Sequence, residues 1–232
     1  MEPATILAAA KALGAGVTHL HRAATPSRNV TITVREWSPT YSLFIPNVND
    51  IQECSPPSPD DIVHQRSSAL AWIKRRRALP IGLGEFGLVV QAKGNTSVVI
   101  DGIGVNSREA ESVPGIALRQ ALAGPIRALS LEADLDANRV WCIDSREFGN
   151  DAQVETFFSV SSRDPLVFRV SGRATTKAML WNLEISMVVD GRPIILREPN
   201  FEWVTIPDRY IGVERHYAPS CGSWTEVDYS WE

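Results

Sequence analysis

The chain has 232 residues, of which 44% are hydrophobic and 22% charged; these are ordinary globular values and exclude wholesale disorder. Its formal net charge of −4 gives no overall field for a nucleic acid, so a polyanion would have to be met by a local patch. Cys54, Cys142 and Cys221 are an odd count without CxxC spacing, which argues against a disulfide framework or zinc cluster and for a reducing, cytoplasmic setting.

No apolar run approaches the roughly 18 residues of a membrane span. The first segment, TILAAAKALGAGVTHLHR (5–22), lacks a leading basic cluster and is interrupted by Lys11, so it is a poor secretory signal. Ile6, Ala10, Leu13, Val17 and Leu20 recur at helical spacing and predict an amphipathic helix within 1–24. It would dock on this chain's own sheet or on another subunit. After the breaker TPSRN, NVTITV (29–34) alternates as a strand and SLFIP (42–46) is a second candidate.

CSPPSPDD (54–61) is a loop that ends as a helix start. Ser58 can cap, Pro59 suits the first helical position, and Asp60 and Asp61 face the positive end of the dipole. A helix is predicted over 59–77, ending in Lys74, Arg75, Arg76 and Arg77. That basic run is either a partner-binding patch or the charge a helix C-terminus favours, with the second reading preferred.

From residue 84 onward, alternating segments separated by Gly, Pro, Asn or Asp predict many short strands. In MLWNLEISMVVDGRPIILREP (179–199), Asp190-Gly191 predicts a two-residue hairpin. Met187 would then face Ile194 and Ile185 would face Leu196, on the apolar face with Trp181 and Leu183. Pro193 would oppose Val188 with its missing N–H outward, which makes 192–198 an edge strand. The expected fold is mainly β: an antiparallel β-sandwich, Ig-like or jelly-roll-like, over 28–206, with an N-terminal helix and one inserted helix.

IGLGEFGLVVQAKG (81–94) imitates the glycine loop of a protein kinase at Gly82, Gly84 and Gly87. A kinase needs a lysine on a following strand and metal-binding acids beyond it. Here Asp101 stands in the lysine's place, DLDAN (134–138) lacks the preceding His-Arg, and EFG (147–149) has Glu147 for the metal-binding aspartate. A dinucleotide site would need a helix at the third glycine, but Phe86, Leu88, Val90 and Ala92 alternate as a strand. The glycines are expected to serve the fold, and no cofactor is expected.

Other constellations are weaker. His216 and Cys221 in HYAPSCGSW show no third orienting group. Asp134, Asp136, Asp144 and Asp151 could offer oxygens to calcium, but turn and strand-end roles are preferred, so no metal is expected.

The stretches TSVVIDGIGV, LSLEADLDA and FFSVSSRDPLVFRVSGRATTKAMLWNLEISMVVDGRPIIL resemble a group of uncharacterised actinobacterial proteins over about residues 30–205. In that group a comparable β-rich domain often follows a helix-turn-helix or a membrane-anchored segment, neither of which is evident in this sequence. The resemblance implies a β-rich fold and brings no catalytic residues with it.

Residues 207–232 are expected as a Pro- and Gly-broken linker followed by a strand-like tail, SCGSWTEVDYSWE (220–232). The tail would pair with the domain's own edge, beside the Pro193 strand, or with another chain by strand addition, using Trp224, Tyr229 and Trp231. The functional expectation is a non-catalytic interaction module that binds a protein partner or self-assembles as an oligomer. The alternative is a carbohydrate-binding or carbohydrate-active protein with Trp141, Trp181 and Trp203 as stacking platforms.

Overall fold

The computed structural model describes residues 22–27, 29–36, 42–120, 129–144, 152–154, 158–197 and 202–229. The expected helix within 1–24 lies outside them apart from its last three positions. Those open a strand, β1 (Arg22–Ser27), that pairs with β2 (Val30–Glu36). The supposed breaker TPSRN is thus partly strand, with the pairing register shifting between Ala24 and Ser27.

The protein is mainly β, with several sheets. The first sheet runs β1, β2, β5 (Leu83–Ala92), β12 (Leu166–Arg173), β8 (Leu129–Asp134), β9 (Arg139–Asp144), β10 (Ala152–Val154). The second runs β11 (Phe158–Val160), β6 (Val98–Glu109), β13 (Met179–Val189), β14 (Arg192–Arg197), and β15 (Trp203–Thr205) pairs with the start of β13. The third runs β17 (Ser223–Val227), β16 (Val213–Ser220), β7 (Gly115–Leu118), β3 (Leu43–Pro46), β4 (Leu79–Pro80). The expectation of a purely antiparallel architecture is corrected: β12 runs parallel to β8 and β16 runs parallel to β7.

Alternation along the strands builds the main core. Ile32, Leu88, Phe168 and Leu131 from the first sheet share one buried cluster with Trp181 and Ile185 from the second. Burying each such side chain contributes about 1.5–3 kcal/mol before conformational entropy is subtracted. The hairpin register is as predicted, with Met187 opposite Ile194, Ile185 opposite Leu196, and Val188 opposite Pro193 on the edge strand β14. One bulge re-phases β6. Ser186 pairs with Gly102 but Met187 pairs with Ile100, so Asp101 is the extra residue. The slip brings Ile103 and Val105 onto the core side, where strict alternation from Ile100 would have placed Gly102 and Gly104.

The third sheet has two apolar faces. Leu43, Ile45, Ile116 and Leu118 face three short helices, α1 (Ile51–Cys54), α2 (Pro59–Val63) and α3 (Ser67–Arg76). Phe44 and Ala117 face Leu180, Val204, Ile206 and Tyr210. The single helix expected over 59–77 is therefore corrected. Its start is as predicted, with the Asp61 N–H donating to Ser58 Oγ at 3.2 Å, but it stops after Val63. The Arg66 N–H reaches Asp61 O, the Gln65 N–H reaches Ile62 O, and Gln65 takes φ 50°, a Schellman ending without glycine. The stretch 207–222, expected as a linker, contains β16. The tail strand β17 pairs in cis with β16, not beside the Pro193 strand.

Candidate functional site

β7 ends at Leu118, and the next residue, Arg119, still donates its N–H to Tyr217 O at 2.7 Å, which extends the register with β16 by one position. Its side chain is only 6% exposed. Arg119 Nε donates to His216 Nδ1 at 3.3 Å, Nη1 to Asp208 Oδ1 at 3.3 Å, and Nη2 to the Asp208 carbonyl at 2.6 Å. The guanidinium carbon lies 4.9 Å from the centroid of the Tyr229 ring, and the same ring stacks on His216 at 5.1 Å and 21°. Arg119 thus meets Asp208, His216 and Tyr229, all from the C-terminal part of the chain, at the end of the third sheet.

The electrostatics follow from burial. Desolvation lowers the pKa of Arg119, partly opposed by Asp208, yet a guanidinium stays charged. His216 is lowered by burial and then by the Arg119 charge. Arginine can only donate, so His216 Nδ1 is the acceptor and the ring proton belongs on Nε2. A neutral imidazole already accepting from a guanidinium has its inner nitrogen occupied. The arrangement suits holding an aromatic ring better than moving a proton.

β17 is held on both faces. Tyr229, just beyond it, rests on His216 beneath Arg119, while Trp224 Nε1 donates to the Pro57 carbonyl at 2.8 Å on the helix side and packs against the helix-facing core. Of the residues expected to bind a partner, Trp224 and Tyr229 are therefore engaged within the chain, and Trp231 lies outside the described residues. Lys74, Arg75, Arg76 and Arg77 belong to a different region, the end of α3. There Arg76 donates to Glu53 O at 3.0 Å, and Arg77 is the left-handed residue that closes the helix, with φ 53°.

Sequence reasoning missed Arg119 and Asp208. The one signal was an arginine closing the short apolar run GIAL, and nothing local pairs it with residue 208. His216 was noticed for its nearness to Cys221. Yet Cys221 is in the β16–β17 turn, while His216 pairs with Val227 at the far end of that ladder.

The kinase-like glycines have structural neighbours. β5 is an interior strand between β2 and β12. A Cβ on Gly84 would lie 2.5 Å from Thr205 Oγ1, and one on Gly82, at φ +77°, 2.8 Å from Asp208 Oδ2. Thr205 Oγ1 in turn accepts from Trp181 Nε1 at 3.0 Å, and Trp181 covers Gly172. Trp203 stacks on Phe86 at 3.8 Å and 9°. Two of the three tryptophans proposed as sugar platforms therefore belong to an internal aromatic cluster.

Among the acidic turn residues, Asp134 accepts from the Ala137 N–H at 3.1 Å. Asp136 accepts from the N–H and hydroxyl groups of both Thr175 and Thr176. Burial pushes its pKa up, but these bonds outweigh that and leave it lowered. The Asp144 side chain and Asp151 are outside the described residues. Among the described residues no group of three or more His, Cys, Asp or Glu side chains could hold a metal, and no helix is long and apolar enough to cross a membrane.

Fold and site together define a mainly β protein whose last described strand is clamped between a guanidinium–imidazole–phenol cluster and a helical cap. Compared with protein-family models, curated proteins and solved structures, the chain gives no match.

Proposed function

We propose that the protein is a non-catalytic interaction module of the cytoplasm, built on an Ig-like or jelly-roll-like β-sandwich of the first and second sheets, that binds an extended protein segment at β17. The observation that carries this reading is that β17 is held on one face by Trp224 and on the other by Tyr229 just beyond it, while no strand among the described residues covers its outer edge. The two-residue turn at Cys221-Gly222 makes Ser220–Ser223 and Ala218–Thr225 the hydrogen-bonded pairs with β16, so the main-chain groups of Trp224 and Glu226 point away from it. No strand lies beyond them among the described residues. A pre-ordered edge loses little conformational entropy on strand addition.

Glu226→Pro tests this reading. It removes an outward N–H that β16 does not use, at a position equivalent in the ladder to Pro193 of β14. At dilutions where the parent is unassociated the variant should melt like it, and it should lose whatever association the parent shows, by sedimentation or by capture from an extract of its source. An association that survives the change sinks the assignment of the edge.

A second reading, carbohydrate binding, has one observation in its favour. Glu85, Ser171, Glu132 and Trp141 form a single cross-strand row on β5, β12, β8 and β9, which places a half-buried tryptophan beside a carboxylate. Quenching of tryptophan fluorescence by oligosaccharides, abolished in Trp141→Ala, would favour it.

A further inference from the structure

Sheet edges invite pairing, and this protein blunts most of its own. β14 carries Pro193 with Arg192 and Arg197. β1 carries Pro26 and a register shift. β10 and β11 are each three residues long. β4 is followed by Ile81, which bridges to Ile206 and joins the third sheet to the strand that borders β13. Only β17 has neither proline, nor bulge, nor a covering strand among the described residues. Its one charged side chain, Glu226, lies 3.6 Å from Arg215 of its own sheet.

We infer that the occupant of this edge is a second copy of the same chain, paired antiparallel with Thr225 on the two-fold axis. This rests on the interaction-module reading and names its partner. The choice of register comes from which main-chain groups point outward. Antiparallel hydrogen-bonded pairs must join outward residues, here Trp224 and Glu226. A two-fold through Glu226 would set two carboxylates directly opposite each other, which is unfavourable. A two-fold through Trp224 would leave the second half of β17 unpaired. With Thr225 on the axis, Trp224 pairs with the other copy's Glu226, Ser223 with its Val227, and the two threonines face each other. The whole strand is used and no like charges meet. The third sheets of the two copies would become one continuous sheet, with an isologous contact that closes on itself.

The test uses the full chain with Cys221→Ser, so that the exposed turn thiol cannot cross-link. The parent should sediment as a dimer that dissociates on dilution, and both Glu226→Pro and Thr225→Glu should shift it to monomer, with melting equal to the parent's when both are compared at dilutions where the parent is monomeric. Thr225 is solvent-exposed, so its glutamate variant keeps the experiment decisive if the proline variant fails to fold. Thr225→Cys should form a covalent dimer with oxidised glutathione as the electron acceptor, because opposed residues at a non-hydrogen-bonded pair lie within disulfide reach. Glu226→Cys, which would face a tryptophan, should do so at least about tenfold more slowly. A monomer at every concentration, a dimer indifferent to both edge variants, or equal cross-linking at 225 and 226 would overturn the inference. If the parent is monomeric but Glu226→Pro loses capture of a different protein, only self-pairing falls. If no association of any kind depends on β17, the interaction-module reading falls with it.

Discussion

His216 carries the protein's clearest response to pH. It faces Arg119 on one side and the Tyr229 ring on the other, and burial followed by the arginine's charge holds its pKa below the ordinary value. Between that lowered value and the unfolded value of about 6.5, the unfolded chain binds more protons than the folded one. Stability from this contact is therefore complete above about pH 6.5 and is lost as pH falls through the folded value. An NMR titration of the His216 ring should give a midpoint below that of a free histidine, and His216→Phe should flatten the melting temperature over the same window. A midpoint at or above the free value would mean that the imidazole is not enclosed as described. Gly84 provides a second single-residue test. Thr205, fully buried and hydrogen-bonded to Trp181, cannot move aside for a new methyl group, so Gly84→Ala should cost about 1–3 kcal/mol in denaturant unfolding. No loss would show that Thr205 is not fixed.

At the level of elements, the helices end in an unusual way. Ser55, Gln65 and Arg77, which follow α1, α2 and α3, all adopt left-handed φ without being glycine. Such residues carry strain that glycine would relieve, offset in part by glycine's freer unfolded chain. Gln65→Gly should raise stability by about 0.5–1 kcal/mol in chemical denaturation. An unchanged or lowered midpoint would refute the strain. The same endings explain what could be foreseen. The α2 start was legible because Ser58, Pro59 and two aspartates announce it locally. Its stop was not, because glycine is the usual marker and Gln65 takes its place. The 179–199 hairpin was legible because Asp-Gly fixes the turn and strict alternation fixes the faces. β16 was not, since Pro219 and the glycines around it suggested a linker. Pro219 is tolerated because it pairs with Trp224 at a non-hydrogen-bonded position, and among the described residues the last backbone bond toward the β7 side is the one Tyr217 O accepts from Arg119, two residues earlier. The site was least legible of all: Arg119, Asp208 and His216 meet through tertiary packing, and no spacing along the chain encodes it.

On the scale of the whole molecule, the clamped hairpin predicts how a truncated chain behaves. Deleting residues 222–232 removes Trp224 from the helix-facing core and Tyr229 from the arginine cluster, and it uncovers Tyr217. The truncated protein should lose about 2–3 kcal/mol, lowering its melting temperature by roughly 5–10 °C in calorimetry. A melting temperature equal to the parent's would mean that the clamp contributes nothing to the fold. The parallel pairing of β16 with β7 also bears on how the chain is made. Gly115 waits for Val213, so when β3, β4 and β7 leave the ribosome, the strand that completes their sheet is still being translated. Until it emerges, the nascent chain carries an unpaired edge on β7, next to apolar side chains that later contact Tyr217. Slowing elongation over the codons after residue 120 should lengthen that exposure and lower the soluble yield, although the finished sequence is identical.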